Sequence, residues 1–377
     1  MHLRYIRHIN YRVFVGMHRA LRAAYSSDSF ASSSPSSRDE LSSGPETMGQ
    51  INDGSSTRVL FCGPHFPASH NYTREYVLKY HFIQVDDVPF ASVPEVISSY
   101  DVCVVMNMRM DSSIIHRAKR MKVIMQFGVG LEGVDIDAAT KCGIKVARIP
   151  GDLTGNAASC AEMAIYLILG LLKKQKCMEA AVKARMLGEP IGDTLFGKTV
   201  FIMGFGNIGI DLAKRLKPFG VKILATKRNW ASQMDAFNDI VDEKGNHHEI
   251  FKFAAKSDII VCCLILDKET VGIVDESFLS SMKKGAFLVN VARGNLFDYD
   301  AILRSLGSGH LGGLGIDVSW NEPFDPNDPI LSFNNVILTP HVAGVTEHSY
   351  RRMAKVVGDV ALQLHSGQTL RGIEMVN

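Results

Sequence analysis

Lys198–Gly209, KTVFIMGFGNIG, is the stretch whose reading decides the fold. Its first six residues form a short run suited to a buried strand, three glycines follow at GxGxxG spacing, and apolar residues recur at helical spacing from Ile208 to Leu216, ahead of Gly220. A strand, a glycine turn and a helix in that order make a dinucleotide cradle. Gly204 permits the tight turn, Gly206 lets the backbone approach a pyrophosphate at the helix N-terminus, and Gly209 lets the helix pack closely on the strand. A glycine turn that binds nothing is the plainer reading, and the flanking elements weigh against it.

Outward from the loop, the next strand, Val221–Ala225, ends in Thr226, Lys227 and Arg228, where a dinucleotide fold commonly places an acid for the ribose hydroxyls. Lys227 lies 18 residues past Gly209, and no acid stands there. Two cations and a hydroxyl favour a 2′-phosphate, so the expected cofactor is NADP(H), with NAD(H) as the alternative; a solvated basic turn is the competing reading. Further on come Arg293 in NVARG (290–294), Glu322 in DVSWNEP (317–323) and His341 in LTPH (338–341). Taken singly, an Arg before Gly is a turn residue and a His after Pro is a structural one. Together, behind a nucleotide cradle, a cation, a carboxylate and an imidazole suit hydride transfer to a 2-oxo acid.

At 377 residues and 46% hydrophobic positions, the chain has the size and composition of a two-domain soluble protein. The longest apolar run, around residues 164–172, is too short to span a bilayer and reads as a buried helix. Seven cysteines (62, 103, 142, 160, 177, 262 and 263) include no CxxC pair and read as reduced and mostly structural. The histidines show no metal-ligand spacing, so no metal is expected.

The first 44 residues differ in kind. Residues 1–27 hold five arginines (4, 7, 12, 19 and 22), no lysine and no acid, and residues 26–43 are serine-rich. On a helical projection the arginines share one sector, largely opposite Leu3, Ile6, Ile9, Val13, Met17 and Leu21. This is an import presequence pattern, expected to lead to the mitochondrial matrix, with the plastid stroma as alternative and a cytosolic form if translation starts at Met48. Residues 1–44 carry six basic and three acidic residues, leaving 35 and 36 in the remainder, a formal charge of −1. The basic balance therefore belongs to the leader, and nothing points to nucleic acid.

The body reads as alternating strands and helices, a parallel α/β architecture. Strands are expected at 58–62, 102–106, 123–126 and 145–148, then in a second series at 198–203, 221–225, 259–263, 286–290, 313–318 and 336–339. Helical stretches are expected at 73–79, 112–120 and 136–141, with one long helix over 159–183 bridging two domains and another over 346–365 returning to the first. The polar stretch 229–251 reads as a loop insertion. Residues 1–50 are taken as presequence and linker, 51–155 with 345–377 as a discontinuous substrate-binding domain, and 156–344 as the dinucleotide-binding domain.

From Val59 onward the chain resembles the D-isomer-specific 2-hydroxyacid dehydrogenases, through FGVGLEGVDIDAA (127–139), GFGNIG (204–209), KKGAFLVNVARG (283–294), GIDVSWNEP (315–323) and NVILTPHVAG (335–344), in matching order and spacing. The resemblance implies two Rossmann-like or flavodoxin-like domains with parallel sheets and a cofactor cleft between them, and commonly a homodimer formed through the nucleotide domains. It implies His341 as general acid, Glu322 as its partner, and Arg293 as the group that grips the carboxylate and carbonyl of a small 2-oxo acid. Backbone amides at Val129 and Gly130 would take the substrate carboxylate. Cofactor contacts are expected from Gly204, Gly206, Asn207, Ile208, Gly209, Thr226, Lys227, Arg228, Cys263, Val291, Ala292, Asp317, Ala343 and Gly344, with Asp317 beside the nicotinamide.

Departures from the family pattern matter. GDLTGNAASCA (151–161) is about three residues longer than usual. Ile265 stands where proline is common, and the substrate loop MNMRMD (106–111) suggests an apolar or adaptable wall. The 36 residues after His341 are fewer than a C-terminal regulatory domain requires. The expected activity is NADPH-preferring reduction of glyoxylate or hydroxypyruvate. The alternatives are an NAD-dependent enzyme like D-3-phosphoglycerate dehydrogenase and, from another class, a nucleotide-sensing, corepressor-like binding protein.

Overall fold

The computed structural model describes residues 56–63, 69–106, 109–128, 130–131, 133–230 and 237–377. The expected presequence and residues 107, 108 and 129 lie outside the described residues. In chain order the strands are β1 (Thr57–Cys62), β2 (Ile83–Val88), β3 (Val102–Val105), β4 (Val123–Gln126), β5 (Lys145–Arg148), β6 (Thr199–Met203), β7 (Lys222–Thr226), β8 (Glu243–Gly245), β9 (Ile259–Cys262), β10 (Phe287–Asn290), β11 (Gly313–Ile316), β12 (Val336–Leu338) and β13 (Glu374–Met375). The helices used below are α1 (Ser69–Val77), α2 (Ile136–Lys141), α3 (Asn156–Leu172), α4 (Gln175–Lys183), α5 (Asn207–Leu216), α6 (Ile250–Ala254), α7 (Glu276–Ser281), α8 (Tyr299–Gly307) and α9 (Glu347–His365).

Two sheets organise these elements. The first runs β13-β5-β4-β3-β1-β2 and the second β12-β11-β10-β9-β6-β7-β8. Every pairing is parallel except β13 against β5. Parallel strands need crossover helices on both faces, which is why the central strands are unbroken apolar runs with every residue of VCVV, VIMQ and IIVC buried. One face of the first sheet packs under α9, through Tyr350, Met353, Val357 and Val360; the other buries Leu60, Ile97, Ile115 and Ile124. The second sheet is covered by α3 and α5 on one face and by α6, α7 and α8 on the other. Capping side chains start the helices where the sequence supplies them: Asp135, Asp275, Asp298 and Thr346 each accept a backbone N–H of the first turn.

The structure corrects three expectations. The long helix over 159–183 is two, α3 and α4, bent by 57° at Lys173 and Lys174, with Lys174 left-handed at φ 55°. Tethering by Lys176, whose Nζ donates to the carbonyls of Leu331 and Phe333 at 3.0 Å each, redirects α4. Stretch 229–251 is not simply a loop: its second half forms the edge strand β8 on β7, a turn capped by Asn246 and the start of α6. β8 reads EKG, too short and charged to carry a strand signal, which is common chemistry for a sheet edge. Met110 of the substrate loop is fully buried and bridges to Val134, so it belongs to the core rather than to an adaptable wall.

The buried ring of Phe253 on α6 meets Phe201 of β6 edge-on, with centroids 5.5 Å apart. Phe253→Ala is expected to cost about 3–5 kcal/mol, read as a lower denaturant midpoint for the second sheet. An unchanged midpoint would mean that α6 does not anchor this face.

Candidate active site

Arg293, Glu322 and His341 follow the C-terminal ends of β10, β11 and β12, neighbours in one parallel sheet. Strand ends of this kind are where open α/β sheets bind ligands. Asn290 shapes the first turn: its fully buried side chain donates to the carbonyl of Arg293 at 2.8 Å and accepts from the amide of Ala292 at 2.9 Å. Gly294 then passes so close to the β11 loop that a Cβ would lie 2.1 Å from the Ser319 carbonyl oxygen. Arg293 and the Glu322 loop are thereby pressed together.

Asp317 fixes the third member. Only 1% exposed, its carboxylate accepts the hydroxyl of Thr339 at 2.5 Å, the amide of Val342 at 3.0 Å and the amide of Ala343 at 2.8 Å. Burial pushes this carboxyl up; those three donors and the nearby His341 pull it down without cancelling the effect. The resemblance placed Asp317 beside the nicotinamide; in the structure its oxygens are taken up in pinning the turn that presents His341.

His341 has a left-handed backbone, φ 56°, and its Nδ1 meets Glu322 Oε2 at 2.8 Å, while Glu322 Oε1 accepts the amide of Ser319 at 3.2 Å. Burial pushes the Glu322 carboxyl up, but His341, the Ser319 amide and the charge of Arg293 outweigh it and hold the carboxyl below its usual range. The pair is complete above the ordinary carboxylate range and is lost as pH falls through the lowered value. With Nδ1 engaged, Nε2 is the ring nitrogen left to exchange a proton with a substrate.

The cradle takes the expected form. Gly204, at φ 100°, presses on the backbone of Cys263, where a Cβ would lie 2.8 Å from the carbonyl, and a Cβ at Gly209 would lie 2.5 Å from the Gly204 carbonyl oxygen. A Cβ at Gly206 meets nothing within 4 Å. α5 starts at Asn207 and Ile208 with no side-chain cap, so its first amides are left for an anion. Val291, Ala292 and Ala343 are buried, and Gly344 packs beside Asn156.

At the end of β7, Thr226 is buried and Lys227 lies 5.8 Å from the ring centroid of Trp230, whose indole donates to the Gly245 carbonyl. Arg228 is ion-paired with Asp267, on the loop after β9, and lies 3.7 Å from Glu269. One of the two cations assigned to a 2′-phosphate is thus already matched by carboxylates. Burial, then the charge of Asp317, pushes the Cys160 thiol up to about 12, and burial pushes Cys263 well above its usual value, so both stay protonated. Gly130 is described and Val129 is not. Asn290, Ser319 and Thr339 escaped the sequence reading; Asn290 and Thr339 sit inside the quoted motifs and could have been flagged as polar residues at buried strand ends.

Asp317→Asn would turn an amide NH2 toward backbone N–H donors. It is expected to destabilise the protein by about 1–3 kcal/mol and to lower turnover through the displaced His341. Unchanged melting temperature and turnover would remove Asp317 from its place as the anchor.

Comparison with known proteins identifies the family. Residues 165–343 match the family model of the D-isomer specific 2-hydroxyacid dehydrogenase, NAD binding domain. A glyoxylate reductase of Thermofilum pendens is 33% identical over 69% of this chain and 76% of its own. A D-3-phosphoglycerate dehydrogenase of Archaeoglobus fulgidus is 31% identical over 73% of this chain and 51% of its own. Among solved structures, a glyoxylate reductase from Paecilomyes thermophila superposes with a TM-score of 0.70 at 26% identity, covering 85% of this chain and 98% of that one. With its two parallel sheets, its glycine cradle and its Arg293, Glu322 and His341 at adjoining strand ends, the chain belongs to the D-isomer-specific 2-hydroxyacid dehydrogenases, NAD(P)-dependent oxidoreductases of small 2-hydroxy and 2-oxo acids.

Proposed function

We propose that the protein is an NADPH-preferring reductase of glyoxylate or hydroxypyruvate. The observation that carries the chemistry is the 2.8 Å contact between His341 and Glu322, beside the turn of Arg293. A nicotinamide cofactor held at the GFGNIG cradle (204–209) would supply the hydride for the carbonyl carbon. Arg293 holds the substrate carboxylate and polarises the carbonyl through its planar fork. His341 gives a proton from Nε2 to the carbonyl oxygen, and Glu322 stabilises the charged imidazole before the transfer. The amides of Val129 and Gly130 take the same carboxylate from the facing side.

The preference for NADPH rests on Thr226, Lys227 and Arg228 and on the absence of an acid at the end of β7 itself. Arg228 is 61% exposed, and exposed ion pairs are worth only about 0–1 kcal/mol, so a phosphate dianion can displace Asp267 from it. A second reading, an NAD-dependent enzyme like D-3-phosphoglycerate dehydrogenase, is favoured by that same Arg228–Asp267 pair and by the Archaeoglobus fulgidus relative.

Oxidation of NADPH and NADH by the full chain, across glyoxylate, hydroxypyruvate and 3-phosphohydroxypyruvate, separates the readings. Fast NADPH-dependent reduction of the first two is expected. His341→Ala should lower turnover by about two to four orders of magnitude with cofactor affinity kept, and Lys227→Ala with Arg228→Ala should weaken NADPH far more than NADH. Equal weakening of both cofactors would overturn the cofactor assignment; tight cofactor binding without turnover would make the protein a nucleotide sensor.

We also infer a homodimer. Val182, Leu187, Ile191 and Phe196, after and within α4, are 78%, 101%, 84% and 77% exposed, an apolar run of the kind that a second copy covers. Leu187→Asp with Ile191→Asp should convert a dimer to a monomer in light scattering; a wild-type monomer would refute the inference.

A further inference from the structure

A cavity of about 340 Å³ lies where the two chain crossings between the sheets meet α5. Its walls are the loop around Asp152, the first turn of α3 at Ala157, α5 from Asn207 to Lys214, and His348 and Arg352 of α9. Among the described residues, the side chains of Lys214 and His348 make no hydrogen bond or ion pair. Arg352 is aimed by two backbone carbonyls, with Nε donating to Leu153 at 3.1 Å and Nη2 to Asp152 at 3.3 Å. A Cβ at Gly155, which has φ 70°, would lie 2.9 Å from Arg352 Cδ and 3.0 Å from the His348 ring, so both side chains rest directly on that backbone. This is the segment that exceeds the common family length.

The charges are unbalanced. Two carboxylates line the cavity, and one of them, Asp211, is paired with Arg215 at 2.6 Å. Lys214 and Arg352 remain against Asp152, before any charge on His348 is counted. At the start of α3, Thr154 takes the amide of Asn156 at 3.1 Å, and the amides of the cavity-lining Ala157 and Ala158 follow it in the same first turn. A single occupant with several acceptor oxygens and about one to two negative charges would satisfy lysine, imidazole, guanidinium and amides together, and a phosphate group has those properties.

We propose that this cavity, which borders the dinucleotide cradle at Asn207, binds a small phosphate-bearing anion distinct from the dinucleotide. Lys214 lies seven residues, about two turns or ~10 Å, along α5 from Asn207. The cationic end of the cavity is therefore set behind the amides that face a pyrophosphate. Because Lys214 sits on a helix of the second sheet and His348 and Arg352 on one packed against the first, the occupant bridges α5 and α9 and stabilises the arrangement that brings them together.

The test uses inorganic phosphate as probe on the full chain, saturated with whichever nicotinamide dinucleotide binds more tightly, against chloride at matched ionic strength. Phosphate should bind saturably by calorimetry and raise the melting temperature. Lys214→Met and His348→Ala should each weaken it about tenfold, the scale of one charge-assisted hydrogen bond, with dinucleotide affinity unchanged; both side chains are exposed, so neither variant threatens folding. No saturable phosphate effect beyond chloride, or unaltered phosphate affinity in both variants, would overturn the proposal. The readout is phosphate binding rather than turnover, so it stands or falls separately from the assignment of substrate and cofactor.

Discussion

A buried carboxylate holds the catalytic end of this protein together. Asp317 has almost no contact with water, and its two oxygens collect a hydroxyl and two backbone amides from the turn after β12. Desolvation of a charge is costly, and only donors aimed in advance repay it. That requirement makes the turn stiff. His341 occupies the left-handed region, an uncommon conformation for a residue with a side chain, and it persists because the residues on either side are held. The imidazole reaches Glu322 because Asp317, five residues earlier in the same loop, has already fixed where the turn lies.

Topology supplies the rest of the convergence. Arg293, Glu322 and His341 lie far apart in sequence, yet β10, β11 and β12 are adjacent parallel strands, so their following loops emerge at one edge. Gly294 against the Ser319 carbonyl removes the remaining slack between the first two loops. The arrangement depends more on backbone approach than on side-chain reach, and a short turn can therefore position a long arginine.

Much of this was legible before the fold was known. Buried parallel strands are continuous apolar runs, and VCVV and IIVC announce themselves as such. The chemistry-bearing words keep their spacing because each is a strand end and its turn. What could not be read depended on partners distant in sequence. Lys176 bends the α3–α4 helix through carbonyls 155 and 157 residues away. β8 is a strand only because β7 offers it an edge. Arg228 looked available for a phosphate, and nothing near it shows that Asp267, 39 residues on, holds its guanidinium. Methionine suits an adaptable wall and a core equally, and only the bond from the Met110 amide to the Gly133 carbonyl shows that this one turns inward.

The glycine motif divides along the same line. Gly204 and Gly209 are required by the protein itself, since a methyl at either would strike backbone 2.8 Å or 2.5 Å away. Those two glycines would be needed in an empty fold and say little about a ligand. Gly206 is different: it has an ordinary backbone conformation, φ −90°, and open space where its side chain would project. Internal packing gives no reason to leave that volume clear. A group approaching the start of α5 from outside does, because each added atom at Gly206 would hold an anion farther from amides whose attraction falls steeply with distance. Of the three, Gly206 is the one whose smallness leaves open space rather than relieving a clash within the fold.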